Sequence, residues 1–129
     1  MSYTKEELQE MLKNSQISSD ALESLLKARE KGEVHFNLVD IREVFEYTDS
    51  AIAGTDLLVP TSMIQQHLDK LDAIKEDPII LYCRTGNRTG QIMQALTQQL
   101  GYQKVSHLSS GIVSYHGEKL RDAVLPNDL

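Results

Sequence analysis

The stretch Pro78-Ile79-Ile80-Leu81-Tyr82-Cys83-Arg84-Thr85-Gly86-Asn87-Arg88-Thr89 decides the fold. It opens with a short apolar run of the kind buried on both faces of a parallel sheet. Cys83 follows at the carboxyl end of that run. A glycine-centred loop then leads into a segment that places Ile92, Leu96 and Leu100 on one helical face, with Gly101 as its stop. Strand, loop and helix in this order are the unit of an α/β domain, whose ligands sit beyond the carboxyl ends of the strands.

Working outward, Lys104 to Leu108 reads as the last strand and Leu57-Leu58-Val59 as a brief one stopped by Pro60. Ile64, Leu68 and Leu71 form another helical face, and Val34 to Ile41 reads as a strand that ends beside the charged pair Asp40 and Arg42. Glu43 to Tyr47 is a short helical turn. Ser18-Ser19-Asp20 is an N-cap signal for a helix carrying Leu22, Leu25 and Leu26, with Gly32 where it would stop. Thr4-Lys5-Glu6-Glu7 has capping-box spacing ahead of Leu8, Met11 and Leu12, a narrow stripe that packs on the domain or meets a second copy in a homodimer. The expected organisation is a helical extension over residues 1–15 and one domain over 16–129. Its fold class is α/β, with a central, mostly parallel sheet and helices on both faces.

Within the loop, a helix amino terminus faces the thiol, and Gly86 can adopt backbone angles that turn neighbouring amides inward. Arg84 and Arg88 place two permanent charges in the same tight loop, and cations with a helix amino terminus lower a thiol's pKa toward the reactive thiolate. Thr85, Asn87 and Thr89 contribute amides, turn geometry or a helix cap. The resulting cradle suits a sulfur-bearing anion and, after attack, the terminal sulfur of a persulfide on Cys83. Such chemistry requires neither metal nor organic cofactor. His35, His67, His107 and His116 show no ligand spacing and read as surface or capping residues.

The whole composition narrows the classes further. The chain has 129 residues, the size of one compact domain, and no apolar run approaches the roughly 20 residues that span a bilayer. Thirteen Lys plus Arg against 19 Asp plus Glu give a net charge of −6, which opposes general attraction to nucleic acid or anionic membranes. Met1 to Glu7 lacks the basic start and apolar stretch of an export signal, so the expected compartment is the cytoplasm. A single cysteine excludes an internal disulfide, a cysteine-rich zinc site and any cycle that needs a resolving thiol.

Cys83-Arg84-Thr85-Gly86-Asn87-Arg88-Thr89 resembles the active loop of the rhodanese family, a six-residue ring that begins with cysteine and ends with arginine. Leu38-Val39-Asp40-Ile41-Arg42-Glu43 with Glu46-Tyr47 is similar to the family's aspartate-x-arginine segment, and Ile52-Ala53-Gly54 before Pro60 and Leu108-Ser109-Ser110-Gly111 extend the likeness. The resemblance runs from about Gln16 to the carboxyl end. It implies a rhodanese-like fold and sulfur transfer through Cys83, from thiosulfate, a polysulfide or a persulfide to cyanide or a thiol, including a protein thiol. Arg84, Arg88 and the loop amides would bind the anion, with Asp40 and Arg42 ordering the loop. Ser50-Ala51 stands where the family usually has glycine-histidine, Ala53 where it has proline and Tyr115 where it has tryptophan. Two alternatives stand beside this reading. One is a non-enzymatic redox-sensing or binding module built on the same thiol. The other is a cysteine phosphatase, whose loop has five residues between cysteine and arginine where this chain has four.

Overall fold

The computed structural model describes residues 3–129; Met1 and Ser2, part of the stretch scanned for an export signal, lie outside the described residues. Helix α1 (Lys5–Met11) starts where the capping box places it. Thr4 Oγ1 accepts from the Glu7 amide at 3.1 Å, and the Glu7 carboxylate accepts from the Thr4 amide at 2.9 Å. A two-residue strand β1 (Gln16–Ile17) follows, and Ser18 caps α2 (Ser19–Glu30) by accepting from the Ala21 amide at 3.1 Å. Gly32, at φ +76°, turns the chain out of the helix. Then come β2 (Asn37–Asp40), α3 (Val44–Asp49), β3 (Ser50–Ile52), β4 (Leu57–Leu58), a 3₁₀ turn at Thr61–Met63 and α4 (Leu68–Asp72). The chain continues through β5 (Ile79–Tyr82), α5 (Asn87–Gln99), β6 (Val105–Leu108), a 3₁₀ turn at Ile112–Ser114 and β7 (Lys119–Arg121).

The main sheet has the order β1-β6-β5-β2-β4 with every pairing parallel, so β5 is central and Cys83 leaves from the middle of the sheet's carboxyl edge. Side chains alternate along each strand. Ile80, Tyr82, Leu38 and Leu108 face α1 and α2, while Ile79, Leu81, Cys83, Val39 and Val105 face the layer of α4 and α5. Both faces of the central strand β5 are therefore covered, as its run Ile79-Ile80-Leu81-Tyr82, buried at every position, requires. Leu8 of α1 is buried in the same cluster as Leu22 and Leu25 of α2, and the Leu12 and Asn14 carbonyls accept from Ser106 Oγ on β6. The amino-terminal helix thus packs within the domain, against the core of the sheet.

Three expectations are corrected. Lys104 to Leu108 is not the last strand: β7 follows and pairs antiparallel with β3 as a separate ribbon. Val34 to Ile41 is strand only over Asn37–Asp40, because only those residues find ladder partners. Helix α5 runs from Asn87 to Gln99, which leaves Leu100 as an exposed cap rather than part of the helical face it was expected to share with Ile92 and Leu96. No helix among the described residues is long and apolar enough to cross a membrane.

Candidate active site

Cys83 sits one residue beyond β5 and is 1% exposed. The chain turns at Gly86, with φ +102°, and the Gly86 amide donates to Cys83 Sγ at 3.2 Å. Two glycines permit this closure. A Cβ at Gly86 would collide with the Ser109 carbonyl, and a Cβ at Gly111, φ +74°, with the Arg84 carbonyl. The 109–111 turn therefore backs the thiol loop directly. The amides of Ile112 and Val113 donate to the Cys83 and Arg84 carbonyls at 2.9 and 3.2 Å and tie the two segments together.

Burial pushes the Cys83 thiol up, but the amide and hydroxyl of Thr89 and the amides of Gly86 and Thr85 outweigh it, so the net displacement is downward. The sulfur is thus set toward thiolate by donors that α5 and the loop supply. Thr89 is fully buried in the first turn of α5. Its Oγ1 lies 3.6 Å from Cys83 Sγ, 3.0 Å from the Gly86 carbonyl and 2.7 Å from His107 Nδ1.

The charged residues divide into committed and uncommitted cations. Arg88 makes a bidentate pair with Glu46 of α3, at 2.9 and 3.0 Å, which holds the Glu46 carboxyl below the usual carboxylate range. Arg42 is buried and grips Asp40 through Nε and Nη2 at 2.9–3.1 Å, while Nη2 also donates to the Ser50 carbonyl at 2.6 Å. The Asp40–Arg42 pair thus fastens β2 to β3, the strand that carries Ser50 and Ala51. Arg84 is exposed and has no ion-pair partner among the described residues. Arg84 lines a cavity of about 540 Å³ together with Arg42, Glu46, Ile112, Lys119 and the exposed Phe45. Thr85 and Asn87 are exposed on the loop, Asn87 as the first residue of α5.

The structure therefore brings Cys83, Gly86 and Thr89 into one contact cluster, sets Arg84 at the cavity and engages Arg88 with an acidic partner. The expectation for His107 is corrected. It is neither a surface nor a capping residue but is buried on β6, where burial lowers its pKa and keeps the ring neutral. Alternation along β6 could have shown this, because Val105 and His107 share one face and Val105 belongs to the core. The pairing of Glu46 with Arg88 carried no local signal, since the two residues are 42 apart.

A family model described as Rhodanese-like domain matches residues 21–118. A protein of Allochromatium vinosum named sulfurtransferase is 34% identical over 82 residues, 62% of this chain and 73% of that protein. The probable adenylyltransferase/sulfurtransferase MoeZ of Mycobacterium tuberculosis is 28% identical over 88 residues, which are 68% of this chain and 22% of MoeZ. Among solved structures, a rhodanese-related protein from Thermoplasma volcanium superposes with a TM-score of 0.67 at 23% identity, covering 83% of this chain and 98% of that one. The rhodanese-like domain of an Anabaena protein does so with a TM-score of 0.68 at 24% identity, covering 84% and 80%. The strand order, the cysteine at the end of the central strand and the extent of these matches lead to one conclusion: the chain belongs to the rhodanese-like domain family.

Proposed function

We propose that the protein is a sulfurtransferase that carries sulfane sulfur as a persulfide on Cys83. The observation that carries this reading is the setting of the sulfur, at the carboxyl end of the central strand, with the Gly86 amide 3.2 Å away and a net bias toward thiolate. Relatives named as sulfurtransferases support the same class.

With thiosulfate as donor, the Cys83 thiolate attacks the outer sulfur. A new S–S bond forms, the donor's S–S bond breaks, and sulfite leaves with the electron pair. A polysulfide or low-molecular persulfide gives up its terminal sulfur in the same way and leaves as the shorter anion. Cyanide or a thiolate, free or on a protein, then attacks the outer sulfur of the persulfide, and the Cys83 thiolate returns as leaving group. The loop amides stabilise negative charge on the terminal sulfur in both half-reactions. Arg84, uncommitted beside the cavity, draws the anionic donor. Arg88 and Arg42 act through the frame, by holding α5 to α3 and β2 to β3.

The test is intact mass after incubation with thiosulfate or polysulfide. A gain of about 32 Da that cyanide removes, and that Cys83→Ser never acquires, establishes the cycle. No sulfur gain with either donor, with a gain of about 16 Da on peroxide treatment, overturns it in favour of a redox-sensing thiol.

A further inference from the structure

The polar contacts around Thr89 contain more neighbours than its hydroxyl can donate to. Oγ1 has one hydrogen and two lone pairs, and three polar atoms surround it: Cys83 Sγ at 3.6 Å, the Gly86 carbonyl at 3.0 Å and His107 Nδ1 at 2.7 Å. The tautomer of His107 decides where that one hydrogen goes. If Nδ1 accepts, the shortest contact takes the hydroxyl hydrogen, and Thr89 presents a lone pair to the sulfur, which repels a thiolate. If Nδ1 carries the hydrogen, it donates to Oγ1, and the hydroxyl hydrogen is free to lie on the Gly86 carbonyl or on the sulfur.

We infer that His107 is a positioning residue for Cys83: as the Nδ1–H tautomer it donates to Thr89 Oγ1 and so frees the Thr89 hydroxyl hydrogen to serve the thiolate and the terminal persulfide. While the thiol is protonated, S–H and Nδ1–H fill the two lone pairs of Oγ1, and the hydroxyl donates to the Gly86 carbonyl. When the thiol proton leaves to solvent water, the hydroxyl pivots from that carbonyl to the sulfur. The Gly86 carbonyl stays satisfied, because it also accepts from the Gly90 amide at 3.1 Å. The backbone that carries the imidazole is fixed in the sheet. The His107 amide donates to the Ser15 carbonyl at 3.0 Å, and the residue pairs with Gln16 on one side and Leu81 on the other, within the sheet. Burial keeps the ring neutral, so it acts as a fixed donor and not as a base.

The groups that face the two ends of this chain of contacts are few. Thr89 of α5 meets the imidazole, Cys83 lies beyond Thr89, and the charge facing the sulfur is Arg88, paired to Glu46 of α3. Arg84 stands on the same loop.

The inference rests on Cys83 being the reactive thiol, but its tests involve no sulfur transfer, so the two readings fail separately. Long-range proton–nitrogen NMR of the wild-type imidazoles is the first test. Nδ1–H on His107 is expected, and Nε2–H overturns the inference. The second is the pH profile of iodoacetamide alkylation of Cys83. Thr89→Val, which removes the hydroxyl and keeps the shape, is expected to move the midpoint upward and slow alkylation at neutral pH by about 3- to 10-fold. His107→Leu takes away any acceptor at the Nδ1 position and so leaves the hydroxyl hydrogen as free as an Nδ1–H donor does, and its midpoint is expected to match the wild type. An unchanged midpoint in folded Thr89→Val, or a lower one in folded His107→Leu, overturns the inference. Should the Leu variant fail to fold, the wild-type tautomer still decides.

Discussion

At Gly86 and Gly90 the same substitution is expected to have opposite signs. Gly86 has positive φ, and a Cβ there meets the Ser109 backbone; Gly90 lies within α5 with open space around it. Gly86→Ala should therefore lose about 1–3 kcal/mol of stability and raise the Cys83 pKa as the amide at 3.2 Å is displaced. Gly90→Ala should gain up to about 1 kcal/mol, since alanine is the better helix former. Thermal melts of the two variants check the pair. The pH dependence of Cys83 follows from the net direction of its shift. The thiolate is favoured, so alkylation should reach its plateau with a midpoint below the value of about 8.5 for a free cysteine, measured with iodoacetamide. At this scale the loop from Cys83 to Thr89 was legible because its contacts are local. The His107 contact to Thr89 spans 18 residues and the Glu46 contact to Arg88 spans 42, and no local spacing encodes either.

Between elements, the half-buried Arg88–Glu46 pair joins α5 to α3, and Glu46 also accepts from the Glu43 amide at 3.0 Å. Glu46→Gln should cost about 1 kcal/mol at neutral pH, a modest value because the pair is partly solvated. The folded Glu46 carboxyl is held below its unfolded value, so its contribution is complete above about pH 4.3 and is lost as pH falls through the folded pKa. The melting-temperature difference between wild type and Glu46→Gln should therefore shrink in acid; a difference constant down to pH 3 would mean that the pair contributes no charge-dependent stability. Helix α1 makes a larger contribution through one side chain. Leu8 is buried among Leu22, Leu25 and their neighbours, and Leu8→Ala should destabilise by about 2–3 kcal/mol in urea titration. The helices with caps, α1 and α2, could be read from Thr4 and Ser18, and β5 from its apolar run. Strand β7 could not: Lys119, Leu120 and Arg121 are all exposed and show no alternation, because pairing with β3 and not burial makes them a strand.

For the molecule as a whole, the two large apolar clusters lie on opposite faces of one five-stranded sheet and share its strands residue by residue. Neither face can melt without exposing the other. Unfolding should be a single transition, with tyrosine fluorescence and far-ultraviolet circular dichroism coincident in urea; Tyr82 and Tyr115 contribute to the fluorescence from one cluster and Tyr102 from the other. Resolved transitions for the two probes would mean that the faces are separable. The sunken position of Cys83 has a kinetic consequence too. A thiol that is biased toward its reactive form yet 1% exposed is a sieve. Small reagents such as peroxide or thiosulfate sense its nucleophilicity, whereas a bulky aromatic disulfide must wait for the loop to breathe. With such a probe, the labelling rate should stop rising with reagent concentration and level off at the opening rate of the 83–88 loop, which turns the chain's one cysteine into a stopwatch for its own backbone.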